Sequence, residues 1–116
     1  MEHDPIDWPA IVAHADDAEL LYVHDQSAWD GEPHLHAADY HAADCLIDAS
    51  GRVYALTRRQ AARVVPEATG AARSLHQVLG LVKAHAAQAG SCCVAKLYAP
   101  SIRDALAIVK SLDDNA

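Results

Sequence analysis

Between His24 and Cys45 the chain concentrates imidazoles and carboxylates: His24, Asp25, Asp30, Glu32, His34, His36, Asp39, His41, Asp44 and Cys45. Imidazole with carboxylate is a donor set that suits zinc, nickel or copper. His34 and His36 share a face if the stretch is extended, and with His41 they form the candidate ligand set. A metal centre also needs three or four ligands converging from rigid supports, with groups behind them that fix the rings. The supports here are Pro, Gly and Ala. The plainer reading is therefore a solvated, acidic, histidine-rich loop spanning residues 25–43, either functional, disordered or hiding a short strand around Trp29.

The second candidate is thiol chemistry at Cys92 and Cys93. Adjacent residues on a strand point to opposite faces, so the two thiols do not act together, and their spacing is neither a redox pair nor a zinc knuckle. A nucleophilic Cys needs a neighbouring His in an electropositive setting. His85 is the nearest in sequence, but the surroundings are apolar, which favours buried structural thiols. Asp16 and Asp17 read as turn residues, and Asp48 before Ser50-Gly51 is accounted for by turn hydrogen bonds. No Ser/His/Asp arrangement, phosphate-cradling glycine loop or helical His pair occurs. No catalytic residue is assigned, no organic cofactor is implied, and a metal ion enters only through the histidine loop.

These residues sit in a chain of 116, the size of one domain (1–116), with 52% hydrophobic and 22% charged residues. Phe is absent, so Leu, Ile, Val and Ala must fill the interior. The net charge of −7 hides an asymmetry: residues 1–51 carry twelve carboxylates and no Lys or Arg, while 52–116 carry all nine basic residues and four carboxylates. The halves are charge-complementary, and the acidic half is expected to lie against the basic one. The overall field repels polyanions, so nucleic acid is not an expected partner. No apolar run is long enough to span a membrane. The acidic start lacks the features of a signal peptide, and three cysteines make no disulfide framework; a cytoplasmic protein with reduced thiols is expected.

Taken in order, Trp8 to His14 and Glu19 to His24 read as two strands joined at Ala15-Asp16-Asp17-Ala18, with Pro9 at a sheet edge or outside the pairing. Asp44–Ala49 and Arg52–Thr57 flank Ser50-Gly51 as a second hairpin whose turn needs positive φ. Residues 58–67 show no clear element. Ser74 and Gln77 form a capping box before a helical face of Leu75, Val78, Leu79, Val82 and Ala86, and Gly90 stops that helix. Ser91 to Tyr98 reads as a central strand. Ser101 and Asp104 then cap a final helix with Ile102, Ala105, Leu106, Val109 and Leu112 on one face. Residues 113–116 are expected to fray.

Helices with a single apolar face must cover one side of a sheet. The fold class is thus α+β, a single two-layer sandwich of four to five mainly antiparallel strands with two helices on one face. On the central strand, Val94, Lys96 and Tyr98 then face away from the helices and form the candidate interaction surface, with Tyr54 or Trp8 extending an aromatic stripe. The loop 25–43 is the one segment able to cover it.

Trp8-Pro9-Ala10-Ile11, the hairpin from Leu46-Ile47-Asp48 to Gly51-Arg52-Val53-Tyr54-Ala55-Leu56, and His85-Ala86-Ala87 through Gly90 to Cys92-Cys93-Val94-Ala95-Lys96-Leu97 resemble a small bacterial family of unknown function. The resemblance spans most of the chain. It implies a single α+β domain from a bacterial cytoplasm and brings no activity, cofactor or site. The leading expectation is a non-enzymatic interaction or accessory module, in which an open sheet face or edge receives another protein chain or a second copy to form a homodimer. A metal-binding protein using the loop histidines is the alternative, and a small enzyme using Cys92 or Cys93 with His85 stands third.

Overall fold

A computed structural model of the chain describes residues 6–91 and 94–114; Met1 to Pro5, Cys92, Cys93, Asn115 and Ala116 lie outside the described residues. Strands β1 (Ala10–Ala13), β2 (Leu20–Val23), β3 (Cys45–Asp48), β4 (Arg52–Ala55) and β7 (Glu67–Ala72) form an antiparallel sheet in the order β2-β1-β3-β4-β7. Two short strands, β5 (Arg59–Gln60) and β6 (Arg63–Val64), pair as a separate hairpin. Pro9 precedes β1, so its missing N–H lies outside the ladder although β1 itself is central.

The period of two along the strands sorts the core into two halves. Ile11, Ala13, Leu20, Ile47 and Val53 point to one face, and Ala10, Val12, Val23, Leu46 and Tyr54 to the other. Both faces are buried, which is why these strands are apolar almost throughout.

Two long helices, α3 (Leu75–Gln88) and α4 (Ile102–Asp114), cover the first face through Val78, Val82, Leu106 and Val109. The Ser74 hydroxyl accepts from the Gln77 N–H while the Gln77 side chain accepts from the Ser74 N–H, the expected reciprocal cap. Ser101 Oγ likewise accepts from the Asp104 N–H ahead of α4, and Gly90 takes a φ of +85° where α3 ends. The final helix runs to Asp114 and so includes Asp113 and Asp114; the two residues beyond lie outside the described ones.

The two helices run in the same direction. Ile102 stands beside Gly51, and Arg103 reaches the Trp8 carbonyl and the Asp7 carboxylate, at the end of the sheet where α3 also begins. At the other end His85 of α3 meets Asp113 of α4. Between them the chain must travel back the length of a helix. Val94–Pro100 lie on this return, beside α3 and outside the sheet.

This corrects the expectation of a central strand at Ser91–Tyr98. Val94–Lys96 is a single 3₁₀ turn, Ala95, Lys96 and Tyr98 are exposed, and Ala99 alone of the stretch 94–100 is fully buried. The place beside β4 is taken by β7, a run of Glu, Ala, Thr and Gly in which Thr69 alone favours a strand. Cys92 and Cys93, expected on that strand, lie outside the described residues.

The second face is covered by the segment expected to be a loop. Residues 25–43 carry two short helices, α1 (Gln26–Gly31) and α2 (Pro33–Ala37), which place Trp29 and Leu35 in the core with Val12, Leu46, Tyr54, Leu56 and Val64. The local cues are clear in retrospect. Asp25 caps α1 by accepting from the Ala28 N–H at 2.8 Å, and Glu32 ends α1 while capping α2, with Pro33 in the first turn. The β5–β6 hairpin packs over α2, and its turn carries Ala61 at φ +58°, where Gly, Asn or Asp would have announced it. Tyr54 and Trp8, open to solvent only if the segment 25–43 leaves them uncovered, pack into this layer beneath it.

The acidic half does lie against the basic half. Arg63 pairs with Asp30, Arg103 with Asp7, and Arg59 donates to the carbonyls of His36 and Ala38. Among the described residues no helix is long and apolar enough to cross a membrane.

Candidate functional site

The loop histidines are separated by the helix they sit on. His34 and His36 are two apart on α2, hence on different sides of it, and do not share a face as an extended segment would give. The His36 ring is fully used in packing: Nδ1 accepts from the Val64 N–H at 3.0 Å, so Nε2 carries the proton and donates to the Trp29 carbonyl at 2.9 Å. His34 and His41 are exposed. Among the described residues, no three His, Cys, Asp or Glu side chains gather as a metal ion would require.

The buried carboxylates are likewise structural. Asp48 accepts from the N–H groups of Asp7, Ser50 and Arg52 and from the hydroxyls of Ser50 and Tyr54. Burial, and then the Asp48 charge, push the Tyr54 hydroxyl up, which keeps it a donor. Asp44 accepts from Ala15 N–H at 2.9 Å and His41 N–H at 2.7 Å, with His14 Nδ1 at 3.6 Å; His14 stacks on Tyr40. Burial pushes the Asp44 carboxyl up, but those backbone donors and His14 outweigh it and hold the group below the usual carboxylate range. A folded-state value below the unfolded one, about 3.9, gives stability that is complete above that pH and lost as pH falls through the folded value. Asp44→Asn is accordingly expected to be less stable near neutrality and to show a shallower acid decline, followed by melting temperature across that range. Cys45 is half-buried, and burial pushes its thiol up, away from reactivity.

The candidate interaction residues lie on the surface of the return segment. Tyr98 is 72% exposed, Lys96 is exposed and Val94 half-buried. Lys96 contrasts with Arg63, Arg103 and Lys110, each of which pairs with a carboxylate of its own chain.

A further site went unread in the sequence. Because α3 and α4 are parallel, their C-terminal ends meet beside the β1–β2 turn, leaving a cleft of about 250 Å³ lined by Glu19, His85, Gln88, Ala89, Leu112 and Asp113. The His85 ring is 5% exposed, and its Nδ1 accepts the outward N–H of Leu20 at 3.0 Å, on the edge strand β2. That bond places the ring proton on Nε2. Nε2 is buried and has no acceptor, and the nearest carboxylate oxygen, Asp113 Oδ1, stands 3.6 Å away. Leaving a buried donor unpaired costs roughly 1–3 kcal/mol. With its proton on Nε2, His85 is neither a metal ligand nor a general base at that atom. It is a fixed hydrogen-bond donor. Only its place near the end of α3 was visible in sequence; Glu19 and Asp113 come from segments far from it along the chain.

The fold has a counterpart among solved structures. An NMR structure of a protein from Shewanella amazonensis is similar to it with a TM-score of 0.66, over 97% of this chain and 94% of that one, at 24% sequence identity. At that identity the likeness is one of fold alone. A family model described as a protein structure with unknown function matches residues 8–109. No curated protein matches the sequence.

Proposed function

The chain belongs to the DUF4144 family, and since that membership carries no activity, we propose from the geometry that it is a non-enzymatic interaction module receiving another protein chain on the return segment Val94–Tyr98. A family of unknown function is what the resemblance in sequence implied. The reading places the module in the cytoplasm.

The observation that carries it is the exposure of Tyr98. At 72% it is an outlier: among the described residues the only other exposed large apolar side chain is Leu21, at 45%. Tyrosine offers large, rigid contact area at low entropic cost and is enriched where binding energy concentrates. Lys96 in the same segment is an exposed ammonium, which complements a partner presenting a carboxylate next to an apolar group. Two buried carboxylates and the half-buried His36 support the same reading from the other direction: Asp44, Asp48 and His36 spend their capacity on backbone groups and neighbouring hydroxyls, which holds the fold and leaves them out of chemistry.

The edge strand β7 is a weaker docking surface, although all six residues are exposed. Its register against β4 slips between Arg52 and Tyr54, and the Thr69 hydroxyl takes the Val53 carbonyl while accepting from Ala71 N–H. Such a bulge blunts an edge against added strands.

The test is affinity capture with the wild-type chain, Tyr98→Ala and Lys96→Glu, followed by rebinding of the purified partner. Binding at least tenfold weaker for each variant, with unchanged melting, is the expected result. Equal binding by all three would overturn the assignment of this surface. A wild-type dimer in sedimentation that Tyr98→Ala dissociates would replace the foreign partner by a second copy.

A further inference from the structure

We infer that the cleft between the C-terminal ends of α3 and α4 is a binding site for a small organic cation that also carries a hydrogen-bond acceptor, such as an amino alcohol or an amino-acid amide. The inference is independent of the interaction surface proposed above and rests on three observations at one place.

The first is the unpaired donor. His85 Nε2 is the one buried side-chain polar atom among the described residues with no hydrogen-bond partner, and the Leu20 N–H on Nδ1 fixes it as an N–H rather than an acceptor. A ligand must therefore bring a lone pair, from a hydroxyl or carbonyl oxygen. The second is the sign of the field. The carboxylates of Glu19 and Asp113 line the cleft, and two parallel helices end there, so their carbonyl ends add negative potential. An anion that satisfied the His85 N–H would be repelled by everything around it, whereas an ammonium group is attracted. The third is size and lining. A volume of about 250 Å³, with Leu112 and Ala89 as apolar wall, gives room for a small molecule.

Asp113 is the movable part. Its side chain is 47% exposed, and its oxygen stands just beyond hydrogen-bond reach of Nε2, so it can turn toward a bound ammonium while the ligand oxygen takes the imidazole N–H. Gln88 commits its amide N–H to Asp17 at 3.2 Å, which leaves the amide oxygen as a further acceptor for the cation. The set is a donor at the wall, carboxylates at the rim and an apolar side, a recognition site without a nucleophile.

The test is an NMR titration of the whole chain with 2-aminoethanol and glycinamide, with acetate and ethylene glycol as the anionic and neutral comparisons. The expected result is saturable, millimolar binding of both cations, read as shifts of the amides of Leu20, Gln88, Ala89 and Asp113 and of the His85 Nε2 resonance. Acetate and ethylene glycol leave these signals in place. Glu19→Gln and Asp113→Asn alter exposed side chains and keep the fold; each is expected to weaken the cations about fivefold. Absence of saturable shifts, equal shifts with acetate, indifference to both substitutions, or a His85 Nε2 resonance that never moves would each overturn the site.

Discussion

Asp48→Ala is expected to lower stability by about 3–5 kcal/mol, a large share of the roughly 5–15 kcal/mol of an ordinary domain. The carboxylate is fully buried and accepts from five donors: Oδ1 takes Ser50 N–H at 3.0 Å, Ser50 Oγ–H at 2.6 Å and Arg52 N–H at 3.0 Å, while Oδ2 takes Asp7 N–H at 3.0 Å and Tyr54 O–H at 3.2 Å. Truncation strands all of them at once. It also loosens the β3–β4 turn, where Gly51 N–H bonds to the Asp48 carbonyl and Gly51 itself, at φ +91°, lies against the Arg73 carbonyl too closely for any Cβ. Asp48→Asn separates acceptor count from shape. Its carbonyl can keep the three Oδ1 bonds, but its NH₂ then faces the Asp7 N–H, so an intermediate loss is expected. Tyr54→Phe removes one donor and should cost about 1 kcal/mol. Denaturant unfolding of the three variants checks the order; a loss under 1 kcal/mol for alanine would show that this network does not anchor the turn.

Trp29→Ala is expected to cost a similar amount, about 3–5 kcal/mol, through the cavity it leaves in the second core half. Trp29 is the largest fully buried side chain, donates from Nε1 to the Val64 carbonyl at 3.2 Å, and meets the His36 ring edge-on. His36 in turn holds Val64 N–H and the Trp29 carbonyl. The indole therefore binds α1, α2 and the β5–β6 hairpin into one layer, and its removal should raise hydrogen exchange at Val64 and in α2 before the sheet responds. Trp29→Phe retains most of the packing and strands only the Val64 carbonyl, for roughly 1–2 kcal/mol. Uniform exchange across the whole chain in Trp29→Ala would mean that the layer has no separate stability.

Much of the scaffold was legible because its signals are local. The reciprocal cap of Ser74 and Gln77, the positive φ of Gly51 and Gly90, and the alternation around Ser50-Gly51 each arise within a few residues. The misreadings also have physical causes. An apolar run flanked by helices reads as a strand, yet Val94–Tyr98 joins no ladder and the place beside β4 goes to β7, although Ala and Gly give that segment little strand preference of its own. In residues 25–43 the short helices were masked by their Pro, Gly and His content, although Asp25 and Glu32-Pro33 carried capping signals.

The candidate site divides in the same way. Sequence alone determined that Tyr98 and Lys96 lie outside the helical stripes, that acidic and basic residues fall in separate halves, and that the chain is an α+β domain, because composition and period are properties of the chain. It did not determine that His85 would give Nδ1 to Leu20 N–H and be left with an unpaired Nε2–H beside Asp113 and Glu19. That cleft exists because the chain doubles back between α3 and α4, so that two helices point the same way and end together. The direction of a helix relative to its neighbour is set by where the connecting segment finds room to pack, and only the assembled sheet decided that.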